Sequence, residues 1–207
     1  MTGSDTERRL REGPRHDPGG SDFWDTRYRE AFTPWDAGRT PPALAAFLPG
    51  LAPARRVLIP GCGTGYEVAA CADAGHEVLA IDFSAAAVAA ARRLLGPLAD
   101  RVREDDFFAF DAGSGFDVVY ERAFLCALPR RLWPAYAARL ADVLRPGGML
   151  AGFFFFGDGD RGPPFPLHAG ELEALLGVRF ERVDDRAVAD SVPVFAGRER
   201  WQAWKLK

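Results

Sequence analysis

Cysteine is scarce in this chain. Its 207 residues include three, an odd number without metal-ligand spacing, which argues against a disulfide or zinc framework. Neither charge sign dominates. The 26 Lys and Arg against 29 Asp and Glu leave a formal net charge of −3, so the electrostatic footprint of a nucleic-acid binder is missing. No apolar run approaches the roughly 20 residues that span a bilayer. Met1 to Gly20 also lacks the apolar core of a signal peptide. These absences predict a cytoplasmic protein with neither nucleic-acid nor membrane partners. There are no internal repeats and no linker long enough to separate a second domain. The length suits one domain, and 48% hydrophobic residues can fill a sizeable core.

Residues 1–20 are polar, charged and rich in Gly and Pro, with one isolated leucine. They offer little apolar surface to offset ordering entropy, which predicts a mobile arm followed by a folded domain over 21–207. The next elements alternate between strand and helix. Tyr66 to Ala74 reads as a helix ended by Gly75. Ser84 is positioned to cap a helix over Ala85 to Leu95, which Gly96-Pro97 stops. Val102 lies in a short third strand, and Phe116 to Tyr120 forms a fourth. Arg130 to Leu144 reads as helical with Pro134 in its first turn. A turn at Arg145-Pro146-Gly147-Gly148 leads into a fifth strand, Met149 to Phe156. Leu172 to Leu176 suggests a short helix, and Val178 to Val183 and Trp201 to Leu206 two further strands. Such alternation implies parallel crossovers and a sheet covered on both faces.

The most informative stretch is Arg56-Val57-Leu58-Ile59-Pro60-Gly61-Cys62-Gly63-Thr64-Gly65, followed later by the strand His76 to Asp82. A buried strand runs into three glycines that let the backbone turn sharply against a ligand. Asp82 ends the next strand about 20 residues on, placed to accept hydrogen bonds from ribose hydroxyls. A dinucleotide site spaces its glycines G-x-G-x-x-G around a pyrophosphate. Here the third glycine, Gly65, comes one residue early. That spacing matches S-adenosylmethionine (SAM) methyltransferases, whose cofactor has no phosphate to cradle, and it disfavours a nicotinamide dehydrogenase. Most such enzymes carry an acid two positions before the first glycine; this chain has Ile59 there.

Ile59-Pro60-Gly61-Cys62-Gly63 resembles the thiopurine S-methyltransferase family and the related plant halide and thiol methyltransferases. The likeness continues in Phe23-Trp24-Asp25-Thr26-Arg27-Tyr28 and in Thr33-Pro34-Trp35-Asp36-Ala37-Gly38-Arg39. Glu104 to Phe108, Tyr120 to Cys126 and Gly162-Pro163-Pro164-Phe165 carry it on, so that it covers about residues 22 to 207. The resemblance implies a Rossmann-like class I methyltransferase of α/β class. Its sheet would be mostly parallel and doubly wound, with a C-terminal antiparallel hairpin and an N-terminal helical lid. It further implies SAM as methyl donor, no metal, a small-molecule acceptor and a monomer. The acceptor is expected to be the sulfur of a small thiol. A halide or a selenium or tellurium species is the alternative, and a SAM-binding protein without turnover is the reading from another class.

On this resemblance the cofactor-binding residues would be Trp24, Trp35, Gly61, Gly63, Gly65, Asp82, Phe83, Asp106, Phe107 and Glu121. Trp24 and Trp35 would shield the sulfonium, since aromatic faces attract cations; simple packing is the alternative. Asp106 would face the adenine amino group. Arg122 is the expected catalytic residue, favouring the anionic form of a thiol. Glu121 and Arg122 lie at the carboxyl edge of the sheet, where open α/β sheets bind ligands. The Asn/Asp-Pro-Pro-Tyr motif of many nitrogen-methylating enzymes is missing there. His76 is expected on the surface, His16 in the arm, and His168 at a helix entry. Cys126 reads as a small buried hydrophobe and Phe153 to Phe156 as core.

Overall fold

The computed structural model describes residues 17–207. Most of the arm expected over residues 1–20, His16 included, lies outside the described residues. Residues 17–20 form a turn against the domain: Asp17 pairs with Arg131, and the Trp24 indole donates to the Pro18 carbonyl at 2.8 Å.

Seven strands make one sheet: β1 (Arg56–Pro60), β2 (Glu77–Asp82), β3 (Val102–Glu104), β4 (Phe116–Arg122), β5 (Leu144–Phe155), β6 (Phe180–Ala187) and β7 (Glu199–Leu206). Their order is β3-β2-β1-β4-β5-β7-β6. β7 runs antiparallel to β5 and β6 while the other pairs are parallel, so the sheet closes on the expected hairpin. Among the described residues the α-helices are α1 (Ser21–Arg29), α2 (Pro42–Phe47), α3 (Tyr66–Asp73), α4 (Ala85–Leu95), α5 (Trp133–Val143) and α6 (Glu171–Leu176).

Successive strand residues serve opposite faces of the sheet. Leu58, Val119 and Phe154 join Trp133, Tyr136 and Leu140 of α5, together with Leu172 of α6, in one core. Val57, Ile59, Val118 and Phe153 join Leu44 of α2, Val68 of α3 and Val88 of α4 in the other. The phenylalanines from 153 to 155 are buried, as expected of a central strand covered on both sides. Ile59 faces the second core, which accounts for an apolar residue where related enzymes carry an acid.

Local chemistry explains the helix ends. The Ser84 hydroxyl accepts the Ala87 N–H at 3.1 Å and caps α4. Pro134 sits in the first turn of α5, where its missing N–H costs nothing.

Three expectations need correction. His76 is buried rather than superficial, its Nδ1 accepting the Arg55 N–H at 3.3 Å. β5 begins at Leu144, and the turn expected at 145–148 is a bulge between the pairs Phe116↔Leu144 and Val118↔Met149. β6 runs to Ala187, past the expected end at Val183, because it is an edge strand of charged, exposed residues without an apolar signature.

Candidate functional site

β1, β2 and β4 deliver their carboxyl ends to one edge of the sheet, beside a cavity of about 400 Å³. That volume is typical of sites for small molecules and cofactors. Its floor is the glycine loop. Gly63 has φ +54°, and a Cβ there would fall 2.5 Å from the Tyr28 hydroxyl. Gly61 has φ +57°, and its Cβ would overlap the Phe124 ring. Only glycine allows both the turn and the close approach. Thr64 donates to the Asp36 carboxylate at 2.6 Å, fixing the loop against the N-terminal segment.

Asp82 ends β2 and faces this floor. Its Oδ2 accepts the Gly63 N–H at 3.0 Å and its Oδ1 accepts the Ser84 N–H at 2.9 Å. Burial pushes its pKa up to about 6, against those two bonds, which lower it. Each oxygen retains a lone pair for a ligand hydroxyl. Next along the wall come Phe83, Asp106 and Phe107. Asp106 is exposed and accepts the Phe108 N–H at 2.9 Å. Phe107 is buried and packs edge-on against Phe124, 5.3 Å between centroids.

The N-terminal segment supplies the outer wall. Trp24 and Trp35 meet edge to face at 5.4 Å, and both line the cavity. Asp25, the next residue of α1, accepts from the Ser84 hydroxyl at 2.6 Å and from the Ala86 N–H at 3.0 Å. This contact fastens α1 to the start of α4.

Arg122 reaches the cavity from the end of β4. Its guanidinium lies 4.9 Å over the Phe153 ring, and its Nε is 3.9 Å from Glu199. Ala123 follows with φ +58°, a left-handed conformation that strains a non-glycine residue beside the site.

Among the sequence-predicted residues, Trp24, Trp35, Gly61, Gly63, Gly65, Asp82, Phe83, Asp106, Phe107 and Arg122 line this one cavity. Glu121 does not. Its side chain is buried behind the wall, where Oε2 accepts the Phe124 and Leu125 N–H groups at 3.1 and 2.9 Å. Burial raises its pKa to about 8, with Glu199 adding to the effect. Glu121 thus shapes the loop that carries Phe124.

Sequence reasoning missed Tyr28, Asp36 and Glu67, which also line the cavity. Glu67 stands in the first turn of α3 with its pKa raised to about 7, mainly by burial, while Arg122 and Tyr120 lower it. Its signal was an acid two residues after the last glycine of the loop. Tyr28 and Asp36 lie within the blocks that carry the family likeness, but their approach to Gly63 and Thr64 links positions 35 and 28 residues apart, which no local spacing marks.

Comparison with known proteins agrees with this geometry. The family model described as thiopurine S-methyltransferase matches residues 20–207. A probable thiol methyltransferase 2 of Arabidopsis thaliana is 31% identical over 189 residues, covering 88% of this chain and 84% of the relative. A thiopurine S-methyltransferase of Azotobacter vinelandii is 32% identical over 182 residues, covering 77% and 83%. For the fold alone, the 1,6-didemethyltoxoflavin-N1-methyltransferase of Burkholderia thailandensis superposes with a TM-score of 0.75 at 21% identity, over 95% of this chain and 93% of that one. Among the described residues no group of His, Cys, Asp or Glu is gathered to hold a metal ion, and no helix is long and apolar enough to cross a membrane. With the glycine loop, the acid at the end of β2 and an aromatic outer wall converging on one cavity, the chain belongs to the thiopurine S-methyltransferase family of SAM-dependent methyltransferases.

Proposed function

We propose that this enzyme methylates the sulfur of a small thiol, with Arg122 as the residue that favours the reactive anion. The carrying observation is the position of Arg122. It is the cavity's cation nearest the strained Ala123 turn, held by Phe153 and Glu199 on its inner side. The relatives named as thiol and thiopurine methyltransferases support the same acceptor class.

The lining residues fit the donor. The glycine loop offers bare backbone where Gly61 and Gly63 leave no room for a side chain. Asp82 offers a carboxylate for ribose, and Asp106 with Phe107 lies further along the same wall for the base. Bound there, SAM would supply an electrophilic methyl group, whose bond to the sulfonium sulfur breaks as the acceptor thiolate bonds to the carbon in line, with S-adenosylhomocysteine as the leaving group. Trp24 and Trp35 exclude water and present π faces to the positive charge. Arg122 stabilises the thiolate over the thiol. Glu67 faces the same space with a pKa of about 7 and can take up the thiol proton. The new carbon–sulfur bond is made by the acceptor's lone pair, so no covalent enzyme intermediate is needed.

We also assign the enzyme to the cytoplasm, where its three buried free cysteines would stay reduced, and expect a monomer on size-exclusion with light scattering.

The test compares methanethiol with the far more acidic hydrogen sulfide. Arg122→Met is expected to slow methanethiol about tenfold more than hydrosulfide, because an acid thiol needs less help to ionise. Equal losses would leave Arg122 a positioning residue. Turnover confined to iodide, with every thiol inert, would replace the thiol reading with the halide one.

A further inference from the structure

Behind Trp24 and Trp35 lies a second, much smaller chamber of about 40 Å³. Trp24, Trp35, Ala123 and Ala127 line both spaces, so the chamber adjoins the main cavity beside the turn that follows Arg122. Its far wall is made by Cys126, Pro164, Val194 and Phe195. These belong to three separate loops, and Cys126, Val194 and Phe195 form an apolar cluster together with Phe155.

Two properties limit what can enter. The first is size. At roughly 10–15 Å³ of accessible volume for each water-sized group, about 40 Å³ holds about three heavy atoms. The second is polarity. The Trp24 indole N–H is committed to the Pro18 carbonyl at 2.8 Å, and the Trp35 N–H is directed at the Tyr28 hydroxyl at 3.5 Å. The Cys126 carbonyl already accepts the Phe165 N–H at 2.7 Å. Apart from the weakly polar Cys126 thiol, the lining side chains offer nothing to a hydroxyl, amine or carboxylate. A polar group buried there would lose its water without replacement.

We propose that this chamber is the acceptor's tail subsite, and that it restricts the enzyme to short, unsubstituted alkanethiols and hydrosulfide. The inference rests on the thiol reading above. The sulfur sits at the mouth, by Ala123 and within reach of Arg122, while the alkyl tail enters between the tryptophans and Val194. Amino-acid thiols are excluded by their charges, and aromatic thiols by a six-carbon ring about twice the chamber's capacity.

The experiment measures kcat/KM for hydrosulfide, methanethiol, ethanethiol, propanethiol, butanethiol, benzenethiol and 2-mercaptoethanol, with S-adenosylhomocysteine release as readout. Each methylene up to propanethiol is expected to raise kcat/KM about fourfold, the equivalent of about 0.8 kcal/mol per buried CH₂. Butanethiol and benzenethiol should fall at least tenfold below propanethiol. So should 2-mercaptoethanol, which has the same number of heavy atoms as propanethiol but ends in a hydroxyl. Two variants then move the limit in opposite directions. Val194→Ala should raise butanethiol relative to propanethiol at least fourfold. Cys126→Leu should lower propanethiol relative to hydrosulfide at least tenfold, with hydrosulfide turnover reporting that the variant is folded. A flat ladder in the parent, equal use of propanethiol and 2-mercaptoethanol, or unmoved ratios in Val194→Ala would overturn the subsite while leaving the thiol reading intact. Failure of every thiol, with iodide still methylated, would overturn both.

Discussion

Replacing Asp82 with alanine removes an acceptor that the loop uses twice, for the Gly63 and Ser84 N–H groups at 3.0 and 2.9 Å. Each N–H left unsatisfied costs about 1–3 kcal/mol. The carboxylate is itself unfavourable, however. Its pKa stands at about 6 rather than 3.8, and two units correspond to about 3 kcal/mol against the charged form in the folded protein. Losing two bonds and losing that penalty nearly offset, so the apoprotein should lose only about 1 kcal/mol in urea unfolding. Binding has no such offset. Ribose hydroxyls bonded to a charged acceptor are worth about 1.5–3 kcal/mol, so affinity should fall about 10- to 150-fold by calorimetric titration. The pH dependence has a definite sign. A raised carboxyl pKa contributes stability that is full below 3.8 and is lost as pH rises through about 6. Ribose donors favour the ionised form, so parent affinity should drop as pH falls below about 6, while the alanine variant shows no such drop. An alanine variant that binds within about threefold of the parent would refute the ribose assignment, since threefold is well under 1 kcal/mol.

Gly63→Val should abolish measurable SAM binding, because its Cβ would meet the Tyr28 hydroxyl at 2.5 Å and φ is +54°; an unchanged titration would remove the loop from the cofactor site. Glu67→Gln should erase a rising limb near pH 7 in kcat for ethanethiol, since the carboxylate accepts a proton only above its pKa of about 7. A limb that survives the substitution assigns that ionisation to another group. Deleting residues 1–16 should leave activity within about twofold, as expected for a segment with little apolar surface. Deletion through Asp36 should eliminate activity, since it takes Trp24, Tyr28, Trp35 and the Thr64 partner together; substantial activity in the longer deletion would rule out the outer wall as a water shield.

The site was legible where its chemistry is local. The run from Arg56 to Gly65 and the acid at Asp82 lie within one strand–helix–strand unit, so spacing alone located them. The cap at Ser84 and the proline in the first turn of α5 were likewise decided by residues next to them. Elements at the sheet's edge were less legible. β6 carries Glu181, Arg182, Asp184, Asp185 and Arg186, whose side-chain contacts along β7 are polar, such as Asp185 with Arg200 and Asp184 with the Trp201 indole, so no apolar alternation marked its extent. Burial of polar residues was the least legible property. His76 and Glu121 read as surface or ligand groups because nothing in a sequence reports that Arg55, Phe124 and Leu125 would present N–H groups to them. The residues named on the family likeness converge on one cavity, except that the fold turns Glu121 away behind its wall.

The bond between Asp25 and Ser84 has a bearing on the order in which the molecule is made. α1 is the first of the described helices to be synthesised, yet its fastening point is 59 residues downstream. Asp17 then awaits Arg131, and Trp35 awaits Val194 and Phe195, which come within the last 14 residues of the chain. Closing so long a loop has a modest extra entropic cost, but its closure must wait for its far end. A ribosome-bound chain that has just completed β4 therefore owns the glycine loop, Asp82 and the partner that fastens α1, but not the partners of Asp17 and Trp35. Val194 and Phe195 arrive only just ahead of β7, so the packing that backs the cavity's outer wall is completed as synthesis ends.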